Sequence, residues 1–446
     1  MPDPTLSPAP THADHVLAGP TGVEERPLTV APAAAPVTPA GADEVAQEPL
    51  ARNRDFLSVL IGQSISSFGD SISNTAMPLL VLALTGSGFA MGIVGVLGTL
   101  PDLIVGLPAG AFADRWDRRK MMFWADLGRA LLTALIPISA WLGGPTMAVI
   151  LLVTFPINAL RVLWLSAYTA AVPGLVGRPQ VPRASALFEA IFNIGWIAGP
   201  AMAGVLSALI GPGPTIALDA VSFVISASAL LLVRRSLRAG ERSEPTHIVA
   251  DIREGLAFVA GHTALRWVIV FWTVTQILLA GLTSGLIFYI TKDRAMGSEV
   301  VGLVLSAFSV GALSGSLLVA RVAPRAVGRT MLVGQAITGS TLVVSVGAGA
   351  PVMAAAAFVA GVASAFVMVS YISLRTLLSP DALLGRVGAT ARTFSVGLMP
   401  VGAIIAGAGL DAIGGGPVLL IMGGGMVATA AVFAFVPDLR RARLHA

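Results

Sequence analysis

The chain has 446 residues, 55% of them hydrophobic and only 12% charged, with a mean hydropathy of +0.83; a soluble domain carries about twice that charged fraction. The net charge of +4 and pI of about 10.1 belong, in so apolar a chain, to membrane topology rather than to nucleic-acid binding. Cysteine is absent, which excludes disulfides, thiolate metal sites and thiol chemistry, and the long continuous apolar runs exclude a transmembrane β-barrel built from alternating strands.

Residues 1–50 are rich in Pro, Ala and Thr, contain no aromatic residue and lack the apolar core of a signal peptide. This composition predicts a disordered cytoplasmic tail. Apolar runs of about 20 residues, each long enough to cross a bilayer as a helix, then follow at 56–84, 90–112, 121–142, 146–170, 184–210 and 214–233. A polar stretch intervenes, and six more runs occupy 264–290, 298–320, 329–348, 352–376, 388–411 and 416–436. The expectation is an all-α polytopic membrane protein of twelve transmembrane helices in two pseudo-symmetric six-helix bundles, 51–236 and 263–446, joined by a cytoplasmic linker at 237–262.

Arginine sets the orientation. With the N-terminus in the cytoplasm, the even-to-odd connections carry Arg115, Arg118, Arg119 and Lys120, then Arg178 and Arg183, then Arg234, Arg235, Arg238 and Arg242. Arg321, Arg325, Arg329 and Arg386 continue the pattern, and the opposite connections around Gly86, Gly143, Gly211, Gly349 and Gly414 have none. Only Lys292 and Arg294 break this positive-inside pattern. The halves also repeat: Arg183, Gly199, Gly204 and Gly211 recur as Arg386, Gly402, Gly407 and Gly414 at a constant offset of 203. Parallel six-helix halves with a site between them describe a secondary transporter.

The stretch Gly110-Ala-Phe-Ala-Asp114-Arg115-Trp-Asp117-Arg118-Arg119-Lys120 is too charged for hydrocarbon, where each charge costs about 2.5–3.5 kcal/mol, and reads as a tight hairpin between helices 2 and 3. Gly110 lets helices approach closely, an acid follows one turn later, and bases follow the acid. On helix 5, Gly195, Gly199 and Gly204 bracket Pro200; small residues at this spacing permit close packing, and the proline frees a backbone carbonyl. On helix 1, Gln63, Ser66, Asp70 and Asn74 (or Ser73) form a polar stripe. Asp70 near mid-helix reads either as a proton carrier or as the fixed partner of an arginine. Asp102, Asp126, Arg129, Glu189 and Asp219 complete the intramembrane acids and bases of the first half, and on helix 4 Arg161, Trp164 and Tyr168 share a face. The second half offers Gln276 and Arg392 but no mid-helix acid, so proton coupling is expected in the first half.

Over about 56–437 the chain resembles the major facilitator superfamily, whose motif between helices 2 and 3 is matched by Gly110 to Lys120, with Asp117 in place of the usual glycine. The resemblance implies that this loop docks the two halves on the cytoplasmic side. Asp114 would meet the start of helix 11, and Arg118 and Arg119 would pair with nearby acids, Asp126 among them; Asp126 and Arg129 are grouped with this gate. The helix-5 glycines and Pro200 resemble the Gly-Pro motif of members that export by exchange. A finer resemblance, to the branch of the enterobactin exporter and macrolide efflux proteins, rests on Gly62 to Asp70 with Pro78, on Ala125 to Arg129 and on Glu254 to Phe258.

Arg161 resembles the family's helix-4 arginine, although the glutamine and glycine that usually follow are missing. The proton-coupling candidates are Asp70, Asp102, Arg161 and Glu189. By resemblance, helices 1, 4, 7 and 10 line the cavity, which brings in Asn74, Trp164, Tyr168, Trp272, Gln276, Met368 and Tyr371. No phosphate loop, metal-ligand spacing or serine elbow occurs, so an enzyme, a cofactor and a metal are not expected. The expected function is proton-coupled efflux of an amphipathic small molecule (drug, macrolide-like product or siderophore) by a monomer in the bilayer of the bacterial cytoplasmic membrane, with both termini cytoplasmic. The alternatives are a nutrient importer or facilitator of the same fold and a non-transporting scaffold or sensor.

Overall fold

The computed structural model describes residues 49–113, 115–144, 146–235, 237, 248–322, 324, 326–380, 383–440 and 442. The expected tail and Asp114 lie outside the described residues. The first half comprises α1 (Arg54–Thr85), α2a (Gly88–Ile104), α2b (Gly106–Ala113), α3 (Arg118–Trp141), α4 (Thr146–Val176), α5 (Val181–Ile210) and α6 (Pro212–Leu231). A connecting helix (Ile248–Gly261) leads to α7a (Thr263–Leu279), α7b (Leu282–Phe288) with a π turn at Tyr289–Asp293, and α8 (Ser298–Val322). Then come α9 (Val327–Ser345), α10 (Ala350–Leu377), α11a (Leu384–Gly397), α11b (Met399–Ile413) and α12 (Gly415–Ala434).

Helices 2, 7 and 11, read above as continuous, are broken. Pro108 and Pro400 cannot donate to the carbonyls four residues earlier, and the helices part at Val105 and Leu398. Helix 7 breaks at Ala280–Gly281, where Gly281 lies against Ala406 of α11b. Among the described residues nine spans are long and apolar enough to cross a membrane, those of helices 7 and 11 running across their breaks, and α1, the broken α2 and α9 complete the twelve.

The hairpin between helices 2 and 3 is built from caps. Asp117 accepts from the amides of Arg119 (3.0 Å) and Lys120 (3.3 Å), which makes the residue that departs from the family motif the N-cap of α3, a role worth about 1 kcal/mol. Arg119 donates to the carbonyls of Leu230 and Leu231, each at 2.9 Å, at the C-terminal end of α6. Arg118 donates to the Ala113 carbonyl at 3.2 Å. Both guanidiniums thus answer the negative ends of helices, and the expected pairing with Asp126 does not form. Arg115 is exposed, and among the described residues nothing lies within 4 Å of a Cβ built on Gly110, so its expected close helix contact is absent here.

Burial differs between the two ends of the molecule. At the arginine-poor end one apolar core takes residues from both halves, including Ala76, Met91, Ile136, Ile150 and Ile216 with Ile287, Val301, Leu342, Met353 and Leu419. At the arginine-rich end the cores are separate, one confined to the first half (Phe56, Met122, Trp164, Leu175, Leu230) and two to the second half with its connecting helix. The halves therefore share one core at one end and keep separate cores at the other.

The 203-residue repeat has a packing counterpart at the shared end. A Cβ built on Gly204 of α5 would lie 2.8 Å from the Gly302 Cα of α8, and one on Gly92 of α2a would lie 2.7 Å from the Ala403 carbonyl of α11b, beside Gly407. Such close approach of backbones is open only to glycine.

Candidate transport site

Intramembrane charge gathers in the first half. Asp70 of α1 forms an ion pair with Arg129 of α3. The Arg129 side chain is 2% exposed, the Asp70 side chain 25%. The Arg129 guanidinium carbon stands 3.9 Å above the Phe223 ring of α6, and its Nη1 lies 3.8 Å from Asp126 Oδ1. Asp126 Oδ2 accepts from Trp164 Nε1 of α4 (3.0 Å) and Ser226 Oγ of α6 (2.7 Å). Asp219 of α6 lies against Gly69 on α1, one residue from Asp70. Desolvating any of these groups costs several kcal/mol, which is recovered only where ion pairs and hydrogen bonds compensate it. Asp126 and Arg129 are the ninth and twelfth residues of α3, hence about 12 to 17 Å along it at 1.5 Å per residue. They belong to this buried cluster with Asp70 and not to the hairpin gate with which they were grouped.

A second charged group lies between the two halves, at the C-terminal end of α2a. Asp102 of α2a pairs with Arg161 of α4 at 2.5 Å and lies 3.7 Å from Arg392 of α11a, so that one carboxylate faces cations from both halves. Arg161 Nε also donates to Asn158 Oδ1 at 3.3 Å. The Arg161 and Arg392 side chains are 35% and 69% exposed, against 2% for Arg129, the cation of the first cluster. Glu189 is exposed near the arginine-rich end of α5 and joins neither group.

The predicted cavity residues separate. Trp164 and Tyr168 are buried in the first-half core, stacked with Phe188, and Trp164 spends its N–H on Asp126. Tyr371 is buried in the second half and stacks on the half-buried Trp272 at 4.4 Å between centroids. Gln276 is half-buried, while Asn74 and Met368 are exposed. The helix-1 stripe splits likewise: Gln63 and Ser66 are buried, and its more exposed members are Asp70 and Asn74. The helix-5 motif is a packing seam, with Gly195 and Gly199 against Ser67 and Ser71 of α1, and Gly204 and the Pro200 carbonyl against Gly302 of α8.

The arginine-poor end carries a contact that sequence reasoning missed. Asp411 of α11b accepts from Ser87 Oγ (2.6 Å), the Gly88 amide (2.6 Å) and the Phe89 amide (3.0 Å), capping the N-terminus of α2a across the two halves. Lys292 donates to the Gly86 carbonyl at the other side of the same turn. Arg294 donates to the Tyr289 hydroxyl at 3.1 Å. The two residues that break the charge pattern thus cap and tie this end. The one advance signal for the latch was Ser87, a good N-cap, opening helix 2.

Residues 46–443 match the sequence profile of a family described as transmembrane secretion effector. The chain belongs to that family. It is a major facilitator superfamily membrane transporter and not an enzyme. The multidrug efflux pump Tap of Mycolicibacterium fortuitum is 30% identical over 396 residues, covering 86% of this chain and 96% of that protein. Macrolide efflux protein A of Streptococcus pyogenes is 25% identical over 266 residues, covering 59% and 65%. Among solved structures, the nucleoside transporter NupG superposes with a TM-score of 0.70 at 15% identity, covering 86% of this chain and 99% of its own. A bacterial homologue of the lysosomal transporter Spinster, described as inward-facing and unoccupied, gives 0.68 at 13% identity, covering 88% and 99%. These structural likenesses concern the fold.

Proposed function

We propose that this transporter is an exporter that exchanges protons for an amphipathic small molecule by alternating access. The observation that carries the reading is the Asp70–Arg129 pair, an ionisable centre inside the membrane with one partner sealed and the other a quarter open. Kinship with multidrug and macrolide efflux pumps supports outward transport and substrates of that chemical kind. Such substrates fit the proposed cavity side chains Asn74, Trp272, Gln276 and Met368, which are neutral and partly apolar.

The arginine-rich end is cytoplasmic in this reading, both termini lie there, 237–262 is the linker between the bundles, and a monomer in the bacterial cytoplasmic membrane suffices. The described conformation then opens toward the cytoplasm. The hairpin containing Asp114 acts as the cytoplasmic gate in the opposite conformation, and Asp102, Arg161 and Arg392 meet the ligand between the two halves.

Purified protein in liposomes, loaded with a panel of erythromycin, ethidium and a ferric-siderophore mixture, tests this. Transport of at least one panel compound driven by an imposed proton gradient is expected. Transport of a panel compound that persists unchanged after the gradient is collapsed overturns the exchange claim.

A further inference from the structure

The buried cluster of the first half holds three carboxyls, Asp70, Asp126 and Asp219, against one guanidinium, Arg129. Ionised throughout, it leaves two negative charges uncompensated in a region of low dielectric. Carboxylates that share one site do not all ionise. At least one proton therefore resides in the cluster.

Its location follows from the partners. Asp70 has the Arg129 guanidinium. Asp126 has an indole N–H at 3.0 Å, a hydroxyl at 2.7 Å and Arg129 at 3.8 Å, all of which favour its ionised form. Asp219 is 3% exposed, and among the described residues no Lys or Arg forms an ion pair with it. Two hydroxyls face its carboxyl, that of Ser73 on α1 and that of Ser222, whose Oγ lies 3.2 Å from Oδ1. The Ser222 hydroxyl has a single hydrogen, directed to the Asp219 backbone carbonyl at the shorter distance of 2.8 Å. The Ser222 oxygen then offers Asp219 a lone pair, which suits a protonated carboxyl as donor.

Gly69 makes this arrangement possible, because a Cβ there would lie 2.5 Å from Asp219 Oδ1. The charged groups facing Asp219 are Asp70 from α1 and Arg129 from α3. The titratable groups of α5, Arg183 and Glu189, lie near its other end.

We propose that Asp219 is the carboxyl that carries the exchanged proton, with Asp70 as the water-facing group through which it loads and empties. The proton passes from the Asp219 carboxyl to the Asp70 carboxylate and on to cavity water, and no other bond changes. Arg129 Nε, unpartnered here, is the spare donor that can answer Asp219 once it is a carboxylate. This assignment rests on the proton-exchange reading and names its site.

Infrared spectroscopy of the full chain in liposomes tests it without a transported ligand. The wild type should show, at neutral pH, the carbonyl stretch of a buried protonated carboxyl, lost in Asp219→Asn and kept in Asp126→Asn. Absence of that band in the wild type overturns the proposal even if the variant fails to fold, and so does its persistence in a folded Asp219→Asn. In the liposome assay Asp219→Asn should lower gradient-driven efflux of a panel compound at least tenfold. Undiminished gradient drive in that variant overturns the assignment, whereas a wild type indifferent to the gradient overturns the exchange reading itself.

Discussion

The two halves share a fold and differ in what they bury. The first half encloses Asp126, Arg129 and Asp219, none more than 3% exposed, with Asp70 at their edge. The second half encloses neutral groups instead: Gln335, Thr338, Ser370 and Thr429. Thr338 and Thr429 donate to carbonyls one turn back on their own helices, so they cost little. A charge cluster ties α1, α3, α4 and α6 through groups that answer one another, and its balance changes with a single proton. The second half has no such switch among its described residues. On the proposed reading, ion coupling belongs to the first bundle.

The largest effect should come from removing the single cation of the cluster. Arg129→Ala leaves three carboxyls without a guanidinium and should lower stability by about 3–5 kcal/mol, read as thermal unfolding in detergent. The control in the other half is Gln335→Met. Gln335 is 1% exposed and its Nε2 has no partner, so an apolar side chain of similar size should change stability by less than about 1.5 kcal/mol. Equal losses from the two changes would erase the contrast between the halves.

A middle-sized effect belongs to the latch that joins the halves. Asp411→Asn removes the charge that caps α2a and should favour parting of the arginine-poor end by about 1–2 kcal/mol, a factor of roughly 5–30 in population. The chain has no native cysteine, so a single Ala90→Cys near the latch reports this cleanly. Its labelling by an impermeant thiol reagent should quicken by that factor in the Asp411→Asn background. An unchanged rate would leave the shared apolar core as the sole closure of this end.

The twelve spans and their halves were legible because apolar length and the 203-residue offset are properties of the chain itself. The breaks in helices 2 and 11 were written in Pro108 and Pro400, but proline inside an apolar run is also tolerated, as Pro78 within the unbroken α1 demonstrates. Asp126 and Arg129 were grouped with the hairpin by nearness in sequence, while the helical rise carries them about 12 Å or more away from it. Asp70 was visible as an intramembrane acid, yet its partner lies 59 residues on and no spacing rule names it. Asp411 caps a helix 322 to 324 residues earlier. Such pairings are set by tertiary packing and not by periodicity.

The smallest effect tests how strictly coupling is confined to the first half. Arg392 carries charge from the second half to Asp102, but at 3.7 Å and with a side chain 69% exposed it is screened by water, and such pairs are worth about 0–1 kcal/mol. Asp102 keeps its 2.5 Å partner Arg161, on its own half, whether or not Arg392 is present. Arg392→Ala should therefore change gradient-driven transport less than threefold, with Asp102→Asn more damaging because it also releases Arg161. If Arg392→Ala instead abolished transport as completely as loss of Arg129, a second-half charge would be part of the coupling centre. The division drawn from burial would then hold for stability alone.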